Sequence, residues 1–141
     1  MSIMKLNSFN PYDHVYFIIV ILHTRFSLFK TCKQFGEILS ATDTRRLYQI
    51  VDVREPNELA TASIEGADII NLPLSTAGEW SDDVKDGTIL DKSKPTLCLC
   101  KVGMRSMKMA NFLVQAGYSD VYNIDGGINE YSQIDPSIPL Y

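Results

Sequence analysis

This 141-residue chain is poor in the residues that would place it in several functional classes. It has three cysteines, Cys32, Cys98 and Cys100, an odd number that does not make a disulfide framework. Cys98 and Cys100 lie two apart on one strand-like run, so they share a face without bridging geometry. That usage points to a reducing compartment, cytoplasm or plastid stroma. Its two histidines, His14 and His23, have no zinc spacing to the cysteines, and no metal or cofactor is expected. Lys and Arg number 13 against 17 Asp and Glu, a net charge of −4 with the basic residues dispersed, which argues against a nucleic-acid partner. No Gly-rich nucleotide-binding loop is present. The longest apolar run, Val15 to Leu22, falls well short of the roughly 20 residues that span a bilayer, and membrane association is not expected. It also makes a poor signal peptide, with Asp13 before it and no small-residue cleavage site after it.

What remains is a composition of 45% hydrophobic and 21% charged residues, ordinary for one globular domain. Residues 1–30 read as an apolar extension outside the core, with an interfacial anchor or docking strand as the alternative. From residue 31 helix and strand signals alternate. Thr31-Cys32-Lys33-Gln34 has capping-box form, and Phe35, Ile38 and Leu39 give the helix after it an apolar face. Strands are expected at Leu47 to Val53, Asp68 to Leu72, Thr96 to Cys100 and Tyr118 to Asn123. Between them lie a helix opening at Glu55-Pro56, a helix from Ser75 to about Val84 around Trp80, and a long helix carrying Met109, Phe112, Leu113 and Ala116 that Gly117 ends. Asp125-Gly126-Gly127 reads as a tight turn before a short helix, and the tail from Asp135, with Pro136 and Pro139, as extended. Short strands apolar on both faces and separated by helices predict an α/β fold: a small parallel sheet of four to five strands with helices on both faces.

Within this plan Cys100-Lys101-Val102-Gly103-Met104-Arg105-Ser106 occupies a strand-to-helix loop. Unpartnered N–H groups at a helix start, together with the helix dipole, favour a negative charge among them. Such a loop stabilises a thiolate, the nucleophilic form of cysteine. Lys101, Arg105 and Lys108 would make the surroundings locally positive for a small anion, although a solvated helix start explains Lys101 and Lys108 equally well. Asp52 ends an apolar strand whose C-terminal end should share a crevice with Cys100. It is expected either to orient Arg105 or the loop N–H groups, or to cap the next helix. Arg54 would bind donor anions or form a structural ion pair with Glu55. Cys98 reads as a packing residue.

The chain resembles the rhodanese-like sulfurtransferases, whose signature is a cysteine, four residues, an arginine and a small hydroxyl residue. The likeness also takes in Ile50-Val51-Asp52-Val53-Arg54-Glu55, Ile64-Glu65-Gly66-Ala67-Asp68-Ile69-Ile70-Asn71-Leu72-Pro73 and Val121 to Ile128, and spans residues 31–141. It departs at Ser63, where many members have His, and at Tyr131, where many have Trp. The resemblance implies a rhodanese-like sheet and a Cys100 nucleophile. That residue would take a sulfane sulfur from thiosulfate or a persulfide donor and pass it to a thiophilic acceptor. The C-terminal half is most similar to the rhodanese domain of sulfur-carrier adenylyltransferases, which implies a sulfur-carrier protein as one acceptor. Related phosphatases and arsenate reductases have five residues between Cys and Arg, a wider loop than the four here. A non-catalytic rhodanese-like binding module is the rival reading.

Overall fold

The computed structural model describes residues 29–141, and the apolar run of Val15 to Leu22 lies outside them. The elements are β1 (Phe29–Lys30), α1 (Cys32–Ser40), α2 (Thr42–Arg45), β2 (Gln49–Asp52), α3 (Pro56–Thr61) and β3 (Ile69–Asn71). A 3-10 turn at Leu74–Thr76 leads into α4 (Ala77–Asp86), followed by β4 (Thr96–Leu99), α5 (Met104–Gln115), β5 (Val121–Ile124) and α6 (Gly127–Tyr131). The five strands form one sheet in the order β1-β5-β4-β2-β3, every pair parallel. This is the parallel, helix-covered sheet expected from the sequence. Phe29 and Lys30 contribute an edge strand that pairs with β5, so the chain joins the sheet two residues before the capping box.

Alternation along the strands sends consecutive residues to opposite faces. Val51, Cys98 and Cys100 pack with Trp80 and Val84 of α4 and Met109 and Leu113 of α5. Ile50, Leu97, Leu99 and Ile124 pack with Phe35 of α1 and Ile128 of α6. Both faces of the central strands are buried, which is why those strands read as continuous apolar runs rather than alternating ones.

Local signals hold where the chemistry is local. Thr31 Oγ1 accepts from Gln34 N, and the Gln34 side chain accepts from Thr31 N, completing the cap of α1. Pro56 sits in the first turn of α3, where its missing N–H costs nothing. Other boundaries move for identifiable reasons. Leu47 is 63% exposed, and its N–H and that of Tyr48 are taken by the carbonyls of Thr44 and Arg45 in the turn ending α2, so β2 begins only at Gln49. Tyr118 is not in a strand: its hydroxyl donates to the carbonyls of Val84 and Leu90, tying the end of α5 to that of α4. The tail does not leave as an extended segment. Asp135 accepts from Ser137 N and Oγ, and its carbonyl takes the N–H of Ile138, a turn that buries Ile138 and brings Tyr141 back over the sheet.

The strand order also locates the crevice. From β2 the chain moves to β3 at one edge, then returns to β4 in the middle and goes on to β5 toward the other edge. The order therefore reverses between β2 and β4, and ligands of open parallel sheets bind outside the strand C-terminal ends at such a point. The register sets Asp52 beside Leu99, so Arg54 follows one strand end and Cys100 the other.

Candidate functional site

Cys100 leaves β4 at its C-terminal end and Met104 begins α5, with Gly103 as the N-cap residue. The loop closes on its own sulfur. Cys100 Sγ accepts from Gly103 N at 3.1 Å and from Ser106 Oγ at 3.2 Å. None of the N–H groups of Lys101, Val102, Met104, Arg105 and Ser106 is taken by another described residue. A set of free donors around a sulfur at the start of a twelve-residue helix is a place for negative charge.

Two devices hold the loop in that form. Gly103 has φ +93, a left-handed conformation that side chains disfavour, and its carbonyl accepts from Asn123 Nδ2 at 3.1 Å. On the outer side, the carbonyls of Cys100 and Lys101 accept from Ile128 N at 2.9 Å and Asn129 N at 3.1 Å, the first turn of α6. Gly127, with φ +59, is what lets α6 come so close. A Cβ there would lie 2.5 Å from both the Cys100 and Lys101 oxygens. With the Cys100 and Lys101 carbonyls tied to α6, the Gly103 N–H is held on the sulfur.

The structure corrects several expected partners. Asp52 does not orient Arg105. Its carboxylate accepts from Arg54 Nη2 at 2.7 Å, from Nε at 3.0 and 3.1 Å, and from Arg54 N at 3.0 Å, all within the buried interior. Arg54 is 1% exposed, donates also to the carbonyl of Ala62, and pairs with Asp52 rather than Glu55. A cation so enclosed does not bind a donor anion; buried charges persist only when paired in this way. Ser106 donates to the sulfur itself.

Arg105 is held by a residue whose place in the sequence suggests only a helix cap. Its Nη1 and Nη2 donate to Glu58 Oε2 and Oε1 at 2.6 and 2.7 Å. Glu58 also accepts from Glu55 N as the capping-box partner of α3 and from Tyr141 Oη at 3.0 Å. The Arg105 pairing above all, with the other donors, holds the Glu58 carboxyl at about 2, well below its ordinary value. Tyr141 in turn accepts from Arg54 Nη1 at 2.9 Å, and Lys101 Nζ lies 4.4 Å from the centre of its ring. A chain of contacts thus runs from the Asp52–Arg54 pair through Tyr141 and Glu58 to Arg105. The pairing with Glu58 concealed itself in sequence as a helix cap, and Tyr141 left no signal at all. Asn123 did leave one, as a polar residue in an apolar strand, and its Oδ1 is buried without a partner.

The remaining loop residues face outward. Val102 is 51% and Met104 75% exposed, and Lys108 is also exposed. Cys98 is fully enclosed, and burial pushes its thiol well above the ordinary range. Cys32 is likewise pushed up to about 12, chiefly by burial, while donating to the carbonyls of Asp125 and Gly127. All three cysteines are free. Among the described residues no group of His, Cys, Asp and Glu converges as a metal site.

A family model described as the rhodanese-like domain matches residues 32–134. The chain belongs to the rhodanese-like family. It is 49% identical over 94 residues to a rhodanese-like/PpiC domain-containing protein of Arabidopsis thaliana described as chloroplastic, covering 66% of this chain and 30% of that protein. It is 30% identical over 87 residues to a thiosulfate sulfurtransferase of Tolumonas auensis, covering 62% of this chain and 74% of the enzyme. Among solved structures, a rhodanese-related protein of Thermoplasma volcanium superposes with a TM-score of 0.59 at 30% identity, covering 79% of this chain and 95% of that one. Relatives of this rhodanese domain thus include sulfurtransferases, and the chain spans less than a third of the Arabidopsis protein.

Proposed function

We propose that this chain is a sulfurtransferase carrying a sulfane sulfur on Cys100. The observation that carries the reading is the pair of donors on Cys100 Sγ within a loop whose other N–H groups have no partner among the described residues. In the first step the Cys100 thiolate attacks the outer sulfur of the donor. From a persulfide R–S–SH it takes that sulfur and its proton and releases the thiolate RS⁻; from thiosulfate it forms Cys100–S–S⁻ and releases sulfite. In the second step a nucleophile such as a thiol or cyanide attacks the outer sulfur and returns the Cys100 thiolate. In this reading the Gly103 N–H, already on the sulfur, and the N–H groups of its loop neighbours would hold the terminal sulfur charge, as donors do in an oxyanion hole. Val102 and Met104 form the outer lip, and Arg105 braces the loop through Glu58.

A sulfur-carrier protein is the proposed macromolecular acceptor, on the resemblance of the C-terminal half to rhodanese domains of carrier adenylyltransferases. A reducing compartment, cytoplasm or plastid stroma, suits three free cysteines, and the Arabidopsis relative is described as chloroplastic. Among the described residues no helix is long and apolar enough to cross a membrane.

One observation favours the rival binding-module reading. Cys100 has no exposed surface, so a donor reaches it only when the loop or its cover shifts. Intact-mass measurement after incubation with thiosulfate or cysteine persulfide decides between the two. Transfer adds one sulfur to Cys100, removable by cyanide or dithiothreitol; an unmodified chain with every donor supports the binding module.

A further inference from the structure

An enzyme that takes sulfur from thiosulfate must bring a dianion to a thiolate, gathering three negative charges before sulfite leaves. A thiol persulfide, which the thiolate attacks in its protonated form R–S–SH, adds no charge at the reacting sulfur beyond that of the thiolate itself. The cations near the loop therefore matter, and the structure has already committed the strongest of them. Arg105 gives one N–H from each terminal nitrogen to Glu58 in a two-pronged ion pair at 2.6 and 2.7 Å. Arg54 is enclosed and spent on Asp52. Lys101 lies over the Tyr141 ring, and Lys108 projects to solvent.

Glu58 is also fixed in place. Tyr141 Oη and Glu55 N both donate to its carboxylate, and Tyr141 is held in its turn by the buried Arg54. A carboxylate with four donors does not swing aside for an incoming anion, and the Glu58–Arg105 pair carries no net charge. The two most exposed side chains of the loop, Val102 and Met104, are instead apolar. They offer a small dianion less compensation for its lost hydration than they offer an uncharged, thiol-borne sulfur.

Resting on the sulfurtransferase reading, we propose that Glu58, clamped by Tyr141, determines donor specificity: it neutralises Arg105 and turns the site from thiosulfate toward thiol persulfides. Both donors deliver the same sulfur to the same atom. In the favoured case the bond between the two persulfide sulfurs breaks, RS⁻ departs, and Cys100 holds the new S–S bond.

The test compares kcat/KM for thiosulfate and for cysteine persulfide at fixed ionic strength, with cyanide as acceptor. The native chain is expected to favour cysteine persulfide by about tenfold or more. Glu58→Gln keeps the capping-box shape, since Gln serves at that position as well as Glu, and leaves Arg105 a net cation. It is expected to raise the thiosulfate-to-persulfide ratio about five- to tenfold, mainly through a lower thiosulfate KM. Glu58→Asp, which keeps the charge, should hold the ratio at the native value. The proposal is overturned if the native chain uses thiosulfate as well as cysteine persulfide, if Glu58→Gln leaves the ratio unmoved, or if Glu58→Asp raises it equally and so reveals mere loosening of the loop. Absence of transfer from both donors would instead strike the sulfurtransferase reading itself, and this inference with it.

Discussion

Replacing Gly127 by Ala should damage the Cys100 loop from behind, without touching a residue of the loop itself. The new Cβ would stand 2.5 Å from the carbonyl oxygens of both Cys100 and Lys101 and 2.6 Å from the Lys101 carbonyl carbon. All three are backbone atoms, so no flexible side chain can yield; either α6 or the loop must move. The φ of +59 adds a conformational cost of about 1–2 kcal/mol for a residue with a side chain. Separation also strains the hydrogen bonds from Ile128 N and Asn129 N, worth about 0.5–1.5 kcal/mol each. Together these give a loss of roughly 2–5 kcal/mol, a fall in Tm on the order of 10–20 °C for a domain of this size. Gly78→Ala is the matched control. It lies in α4 with no atom within 4 Å of its added Cβ, so it should be neutral or stabilising by up to about 1 kcal/mol. Thermal melts by circular dichroism, with sulfur uptake at Cys100 measured by mass well below the melting range, read both effects. Gly127→Ala should lose uptake even where it is folded, because its loop N–H groups no longer converge. A variant that melts within a degree or two of native and takes up sulfur at the native rate would refute the argument that α6 sets the loop.

Cys100→Ala should abolish sulfur uptake, whereas Cys98→Ala and Cys32→Ala should retain most of it; equal loss in a folded Cys98→Ala chain would overturn the choice of nucleophile. Asn123→Ala removes the donor to the Gly103 carbonyl and should slow uptake about tenfold, measured as a single-turnover rate, with Asn123→Asp failing to restore it because a carboxylate cannot donate there. Acid titration of stability should show Glu58: its folded value of about 2 lies below its ordinary one, so its contribution is complete above about pH 4.5 and fades as pH falls toward 2. With both partners partly exposed that contribution is about 1 kcal/mol, and Glu58→Gln should flatten this part of the profile in denaturant melts; an unchanged slope would show that the pair adds nothing. A chain beginning at Phe29 should fold and accept sulfur, while one beginning at Thr31 loses the β1 pairing and the hydrogen bond from Asp125 N to the Lys30 carbonyl, and should melt several degrees lower.

Strands β2 to β5, their helix-covered faces and the placing of Cys100 at a strand end were legible in the sequence, because each is written in contiguous residues; β1, within the segment read as lying outside the core, was not. A buried parallel strand needs an apolar run, a helix start needs a cap, and a thiol at a strand-to-helix junction is visible as five or six neighbouring letters. The partners of the charged residues were not legible. Asp52 could face Arg54 or Arg105 with equal chemical sense, and only the direction of the chain after β2 decides for Arg54, whose guanidinium folds back beneath its own strand end. Glu58 serves two roles, and the local one, capping α3 with Glu55, accounts for it fully in sequence and so hides the distant one.

Tyr141 shows the limit most clearly. Pro136 and Pro139 favour an extended tail, yet the Asp135–Ser137 turn reverses the chain, and burial of Ile138 carries the last residue to the site. Its phenol then joins two ion pairs that are otherwise separate, one wholly buried and structural, the other at the lip of the loop. A hydroxyl in that place converts rigidity in the core into rigidity of Arg105, and Tyr141→Phe removes only that link. The ring and its contact with Lys101 survive the change, but one N–H of the buried Arg54 loses its acceptor, so stability should fall by about 1–3 kcal/mol. Arg105 should nevertheless become more mobile, visible as faster exchange of its guanidinium protons by nuclear magnetic resonance. If those protons are as well protected in Tyr141→Phe as in the native chain, Glu58 alone fixes Arg105 and the tail is only packing.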